Sequence, residues 1–188
     1  GVKRLVFFGS KCTIKNDCQQ PMREEEAGAG NLEPTSQAYA TAKIAGMRMI
    51  EAYNHQYGTC FTSVIPATLY GPNDNFDLQS SHVLPALMRK VHDAKCDNNP
   101  VVEIWGSGTP HREFLHVNDL ADALVFLLQN YNENAPINVG SGKEVSITEL
   151  ALLLFKVIGY TGEFTYALDN PDGTPLKLAD STLFNGLG

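Results

Sequence analysis

Residues 34 to 65 read PTSQAYATAKIAGMRMIEAYNHQYGTCFTSVI, a helix-forming stretch that runs into a strand-forming one. Pro34 and Thr35 supply a stop and a cap, and Gly58 supplies the left-handed terminator, so the pattern predicts a helix from Ser36 to Tyr57. Phe61 to Ile65 is short, apolar and β-branched, the composition of a buried strand. Upstream, Leu5 to Gly9 is another apolar run that stops at Gly-Ser, as a buried parallel strand stops at a loop. Strand, helix and strand in that order make one βαβ unit.

Working outward, the alternation continues. Pro66 and the turn Tyr70 to Asn75 end the second strand. A helix follows from Val83 to Ala94, with Pro85 tolerable in its first turn. Val101 to Trp105 and Glu113 to His116 read as strands separated by Gly106-Ser107-Gly108, which needs to be no more than a hairpin turn. A helix runs from about Asn118 to Gln129, a short strand from Ile137 to Gly140, and the capping box Ser146-Ile147-Thr148-Glu149 opens a helix to Ile158. Gly162 to Ala167 is the last strand. Gln19 to Leu32 is polar and glycine-rich, so the acids of Glu24-Glu25-Glu26 are expected on a solvated loop. The class is α/β with a parallel sheet. No G-x-G-x-x-G turn follows the first strand, so the chain is expected to open in mid-fold, without a dinucleotide's phosphate cradle.

With 188 residues and 43% apolar content, the chain can bury one sizeable core. A net charge of -7 argues against nucleic acid, and no apolar run reaches membrane-spanning length, so a cytoplasmic protein is expected. Cys12, Cys18, Cys60 and Cys96 show neither a CxxC pair nor metal-ligand spacing, so reduced thiols and no metal are expected.

The chemistry concentrates at the ends of these elements. Tyr39 and Lys43 are four residues apart, on one helix face, where an ammonium favours the ionised phenol and makes tyrosine a usable acid and base. Ser10 follows the first strand. Cys12, two residues on, points to the same side if the strand geometry persists. Each alone has a bland reading: Ser10 a strand end, Cys12 a small core residue, His82 a surface or helix-cap histidine, Trp105 packing. His55, His92, His111 and His116 are expected to be structural.

The residues Phe8-Gly9-Ser10-Lys11-Cys12, Tyr39 to Gly46, Leu69 to Phe76, Ser81-His82-Val83, Trp105 to Pro110, Arg112 to Val117 and Pro171 to Pro175 carry a resemblance. The chain resembles the GDP-L-fucose synthase family of extended short-chain dehydrogenases/reductases, over nearly all its length. That resemblance implies a Rossmann-like doubly wound sheet, of which the carboxyl-terminal part is present, with a smaller substrate-binding α/β lobe. Residues 1 to 75 would be the remainder of the NADP-binding domain, with segments in about 101 to 140 interleaved, and residues 76 to 188 mainly the substrate lobe. It implies NADPH-dependent epimerisation and reduction of a GDP-4-keto-6-deoxy sugar, and a homodimer formed through the helix bearing Tyr39 and its neighbour.

By the same resemblance, Ser10, Cys12, Tyr39, Lys43 and His82 are catalytic, with Cys12 and His82 the acid and base of epimerisation. Phe8, Gly9, Ser10, Lys11, Tyr39, Lys43, Pro66, Ala67, Thr68, Leu69 and His82 line the NADP(H) site. Lys90, Trp105, Arg112 and Asp172 meet the GDP-sugar. Lys11, Thr13-Ile14-Lys15, Ala38, Thr68 and Lys90 depart from the family pattern, and Lys90 keeps a charge but loses the bidentate fork of an arginine. Two other readings stay open. One is a nucleotide-sugar 4-epimerase or 4,6-dehydratase with NAD, against which Ser10-Lys11-Cys12 counts. The other is a catalytically silent nucleotide-sugar-binding module.

Overall fold

The computed structural model describes residues 1–15 and 17–188. In chain order the elements are β1 (Arg4–Phe8), α1 (Gln37–Tyr57), β2 (Cys60–Pro66), β3 (Thr68–Tyr70), α2 (Val83–Cys96), β4 (Val101–Trp105), β5 (His111–His116), α3 (Val117–Asn130), β6 (Ile137–Val139), β7 (Glu144–Ser146), α4 (Ile147–Ile158), β8 (Glu163–Ala167), β9 (Leu176–Lys177) and α5 (Thr182–Asn185). They form two compact units. One comprises Gly1–Leu69, Glu113–Lys143 and Lys177–Gly188; the other comprises Tyr70–Arg112 and Glu144–Leu176.

In the first unit β1, β2 and β6 form a parallel sheet in that order, with Phe8 opposite Val64 and Val64 opposite Ile137. Parallel neighbours need a crossover, and α1 supplies the one between β1 and β2. Successive strand residues face opposite ways, which shows how the sheet is covered. Val64, with Val6, packs among Leu120, Ala123 and Leu127 of α3, whereas Ile65, with Phe7, packs against Met47 of α1. The two helices therefore cover opposite faces, the doubly wound arrangement that the alternation predicts. Gly46 lets α1 come this close, because a Cβ there would collide with the Phe7 ring.

In the second unit β4 and β8 pair in parallel, Ile104 opposite Tyr166, with α2 packed on β4 and on α4. Val102 and Ile104 are buried while Val101, Glu103 and Trp105 are exposed, the period-two pattern of a strand with one covered face. Both halves of the capping box at Ser146 and Glu149 are made, and α4 ends at Gly159 in the left-handed conformation.

The structure corrects several expectations. The turn after β4 closes no hairpin, since β4 pairs with β8 in parallel. Among the described residues β1 is the outermost strand of its sheet, and it is half buried, with Phe8 42% exposed. The cap before α1 is replaced by a 3₁₀ turn over Pro34–Ser36, with no side-chain bond to the helix. The acids at 24–26 are not a uniformly solvated face. Glu26 pairs with Lys15 at 3.1 Å, and Glu24 accepts a 3.0 Å bond from the Asn138 amide. Burial pushes Glu24 above the usual carboxylate range, against the bond from Asn138. The loop is held down because Met22 and Ala27 belong to the core.

Candidate active site

The carboxyl end of β1 carries the first group of candidate residues. Strand geometry does not persist past Phe8: Lys11–Thr13 form a 3₁₀ turn, so the two-residue strand spacing does not place Cys12. Ser10 caps the turn, its Oγ accepting from the Cys12 amide at 3.2 Å, and its carbonyl accepts from the Thr13 amide at 2.9 Å and the Thr13 hydroxyl at 2.6 Å. The Ser10 hydroxyl proton stays free of that cap bond and can be given to a bound oxygen. Cys12 is a free, half-buried thiol, and the turn packs against α1.

α1 supplies Tyr39, 51% exposed, and Lys43 one turn on. Lys43 Nζ donates to the Phe8 carbonyl at 2.8 Å and lies 5.5 Å from the Tyr39 ring centroid and 5.3 Å from that of Phe7. The strand end thus fixes the ammonium, and the ammonium sits beside an open phenol. The Gly9 amide donates to Val64 O at 2.8 Å, and a Cβ at Gly9 would press on Ile65, Met47 and the Val64 carbonyl. A larger residue there would require those neighbours to give by a few tenths of an ångström. Beside β2, the Ala67 amide donates to Val139 O at 2.9 Å, while Thr68 and Leu69 begin β3.

The second unit carries the remaining residues. His82 is exposed in the position before α2 and makes no side-chain capping bond. Lys90 and Trp105 come together: Lys90 Nζ is 5.6 Å from the indole ring and donates to Glu103 O at 3.1 Å. Both line a cavity of about 190 Å³ with Ser81, Val83, Leu87 and Ile104. Trp105 is not packing alone, being 62% exposed.

Arg112 and Asp172 are both bound to loop backbone. Arg112 Nη1 donates to His111 O at 2.8 Å and Thr174 O at 2.7 Å. Burial pushes its guanidinium down, and Asp172 opposes that. Asp172 accepts from the Ser107 amide at 2.6 Å and the Ser107 hydroxyl at 2.8 Å. Those two bonds, with Arg112 adding to them, hold its carboxyl below the usual range. Both oxygens of Asp172 are thus committed to the glycine turn.

Sequence reasoning missed Glu113. Its side chain is fully buried, accepting from the Gly142 amide at 2.8 Å and the Ala179 amide at 3.0 Å, and Lys11 Nζ lies 3.9 Å away. The available signal was its place two residues before Leu115, a carboxylate on the core face of a strand. Among the described residues, no group of three or more His, Cys, Asp and Glu side chains could hold a metal ion. None of their helices is long and apolar enough to cross a membrane.

Comparison with known proteins finds relatives that match along the whole chain. A GDP-L-fucose synthase of Sinorhizobium fredii is 50% identical over 188 residues, covering 100% of this chain and 60% of that protein. One of Escherichia coli is 47% identical over 196 residues, covering 100% of this chain and 61% of that protein. The chain spans about three fifths of the length of these curated relatives. Among solved structures, a GDP-L-fucose synthetase of Naegleria fowleri bound to NADP superposes with a TM-score of 0.94 at 32% identity, over 100% of this chain and 60% of that one. The profile of the NAD dependent epimerase/dehydratase family runs through residues 1–140, from β1 past the Tyr39 helix to the end of the core sheet, and the chain belongs to that family.

Proposed function

We propose that this chain is the catalytic and sugar-binding part of an enzyme that epimerises and reduces GDP-4-keto-6-deoxy-D-mannose to GDP-L-fucose with NADPH. The observation that carries the reading is Lys43, bonded to the Phe8 carbonyl and 5.5 Å from the ring of the half-exposed Tyr39, at the carboxyl end of a parallel strand. Ligands of open α/β sheets bind at that end. The similarity to GDP-L-fucose synthases selects the substrate.

The donor set fits the nicotinamide half of the cofactor. Lys43 is an ammonium already oriented by a backbone carbonyl, with protons left for ribose hydroxyls, and the Ser10 hydroxyl and Tyr39 phenol face a carbonyl acceptor in this reading. When bound, the nicotinamide supplies the reducing equivalent to the ketone carbon. The chain's own residues do the rest. Ser10 and Tyr39 donate hydrogen bonds to the ketone oxygen, stabilising the charge that builds there when a neighbouring carbon loses its proton. Inversion needs an acid and a base on opposite faces of the sugar, and Cys12 and His82 take these roles. In the reduction Tyr39 gives its proton to the oxygen, and Lys43 stabilises the phenolate left behind.

The first unit serves in this reading as the remainder of the cofactor domain and the second as the substrate lobe, with the Lys90 and Trp105 cavity for part of the nucleotide sugar. The partner is a second copy. Ala38, Ala42, Ala45, Met49 and Ala52 are all exposed and recur at three- and four-residue steps along α1, the stripe that lets two helices pack closely.

Deuterium wash-in tests the reading. The chain is given GDP-4-keto-6-deoxy-D-mannose in heavy water, and exchange at the carbons flanking the ketone is followed by NMR. Exchange in the unmodified chain that is lost in Cys12→Ser and in His82→Asn supports it. Binding of the sugar nucleotide without exchange overturns it.

A further inference from the structure

We infer that Lys11 and Glu113 are a positioning pair that holds the Cys12 turn in place, an inference resting on the reading of Cys12 as an epimerisation residue. The turn's own bonds, from the amides and hydroxyl of Cys12 and Thr13 to Ser10, set its internal shape. They do not set where the turn sits against β5 and the β6–β7 connection.

Lys11 spans that gap. Its ammonium, on a side chain only 10% exposed, lies 3.9 Å from Glu113 Oε2 of a fully buried carboxylate. Glu113 in turn takes the Gly142 amide on Oε1 and the Ala179 amide on Oε2. A Cβ at Gly140 would collide with that carboxylate, so the surrounding chain is shaped around it. One carboxylate thus gathers three segments remote in sequence: the Cys12 turn, the loop after β6 and the stretch before α5.

Charges this far from water are poor sources of net stability, because desolvation offsets their attraction. What they impose is geometry: the attraction is satisfied in one arrangement and lost in others. The residue placed under this constraint is the immediate neighbour of Cys12, and a small misplacement of an acid or base lowers the rate steeply. Lys11 therefore acts through the turn, as a positioning residue.

The test uses Lys11→Met, which keeps the stem and removes the charge, and Lys11→Arg, which restores it. Amide hydrogen exchange is read residue by residue by NMR, beside the deuterium wash-in at the sugar. For Lys11→Met the Cys12 and Thr13 amides should exchange at least tenfold faster while Gly142, Ala179 and Asn138 stay within twofold. The wash-in kcat should fall about tenfold with KM within twofold, and Lys11→Arg should recover it to within threefold. Cys12 and Thr13 amides that do not change, or amides that all rise together, overturn the inference. An unmodified chain without wash-in, but with the expected amide pattern in Lys11→Met, overturns the functional reading and supports the anchor.

Discussion

In the proposed reduction Tyr39 gives the proton and Lys43 stands beside it, and removing the phenol tests that role most directly. Tyr39→Phe deletes the donated proton and keeps the ring, so ketone reduction should fall about 10²–10⁴-fold in a stopped assay of GDP-L-fucose formed. Wash-in at the flanking carbons should fall far less, since Ser10 still stabilises the charge; equal losses would mean that Tyr39 serves both steps equally. Glu24 gives a test of a different kind. Burial raises its carboxyl above the unfolded value, so the folded form binds the proton more tightly, and its contribution to stability is present at acid pH and lost as pH rises through the raised value. Glu24→Gln can still accept from the Asn138 amide. It should therefore melt higher than the parent at pH 7 by differential scanning fluorimetry, with the difference shrinking below the usual carboxylate range. A difference constant with pH would remove burial as the cause.

At the scale of elements, the two helix faces against the core sheet depend on close approach. Gly46→Val would drive two methyl groups into the Phe7 ring where even a Cβ collides, and should cost about 1–3 kcal/mol in urea unfolding. A stability unchanged within error would mean that α1 can slide on β1. In the second unit, Ser146→Ala removes both the cap bond to the Glu149 amide and the bond to its carboxylate. Its cost should be about 1 kcal/mol, read the same way. Helices with caps and periodic faces were legible from sequence, as α1, α2, α3 and α4 show to within a few residues. β3, β7 and β9 were not, because two or three residues carry no period, and β6, just as short, was legible only as Ile137-Asn138-Val139 running into Gly140. The 3₁₀ turn at Lys11–Thr13 was also missed. Ser10 caps it, and nothing in the run before it separates a cap from a strand continuing.

At the scale of the whole molecule, the exposed stripe of α1 predicts the assembly. Met49 and Tyr53, 58% and 46% exposed, lie along it, and Ala45→Arg should shift the chain from dimer to monomer in analytical ultracentrifugation at micromolar concentration. A monomeric parent chain would remove the proposal. By itself the sequence determined the α/β alternation and the helix that presents Tyr39 and Lys43 on one face, because periodicity, capping and spacing act within about twenty residues of chain. Tertiary structure alone decided that Lys43 is anchored to Phe8, that Asp172 is committed to Ser107, that Glu24 is half-buried, and that Lys11 meets Glu113. Each of these depends on which remote segment folds against a charge, and for Glu24 and Lys11 with Glu113 burial then raises the cost of leaving that charge unmatched.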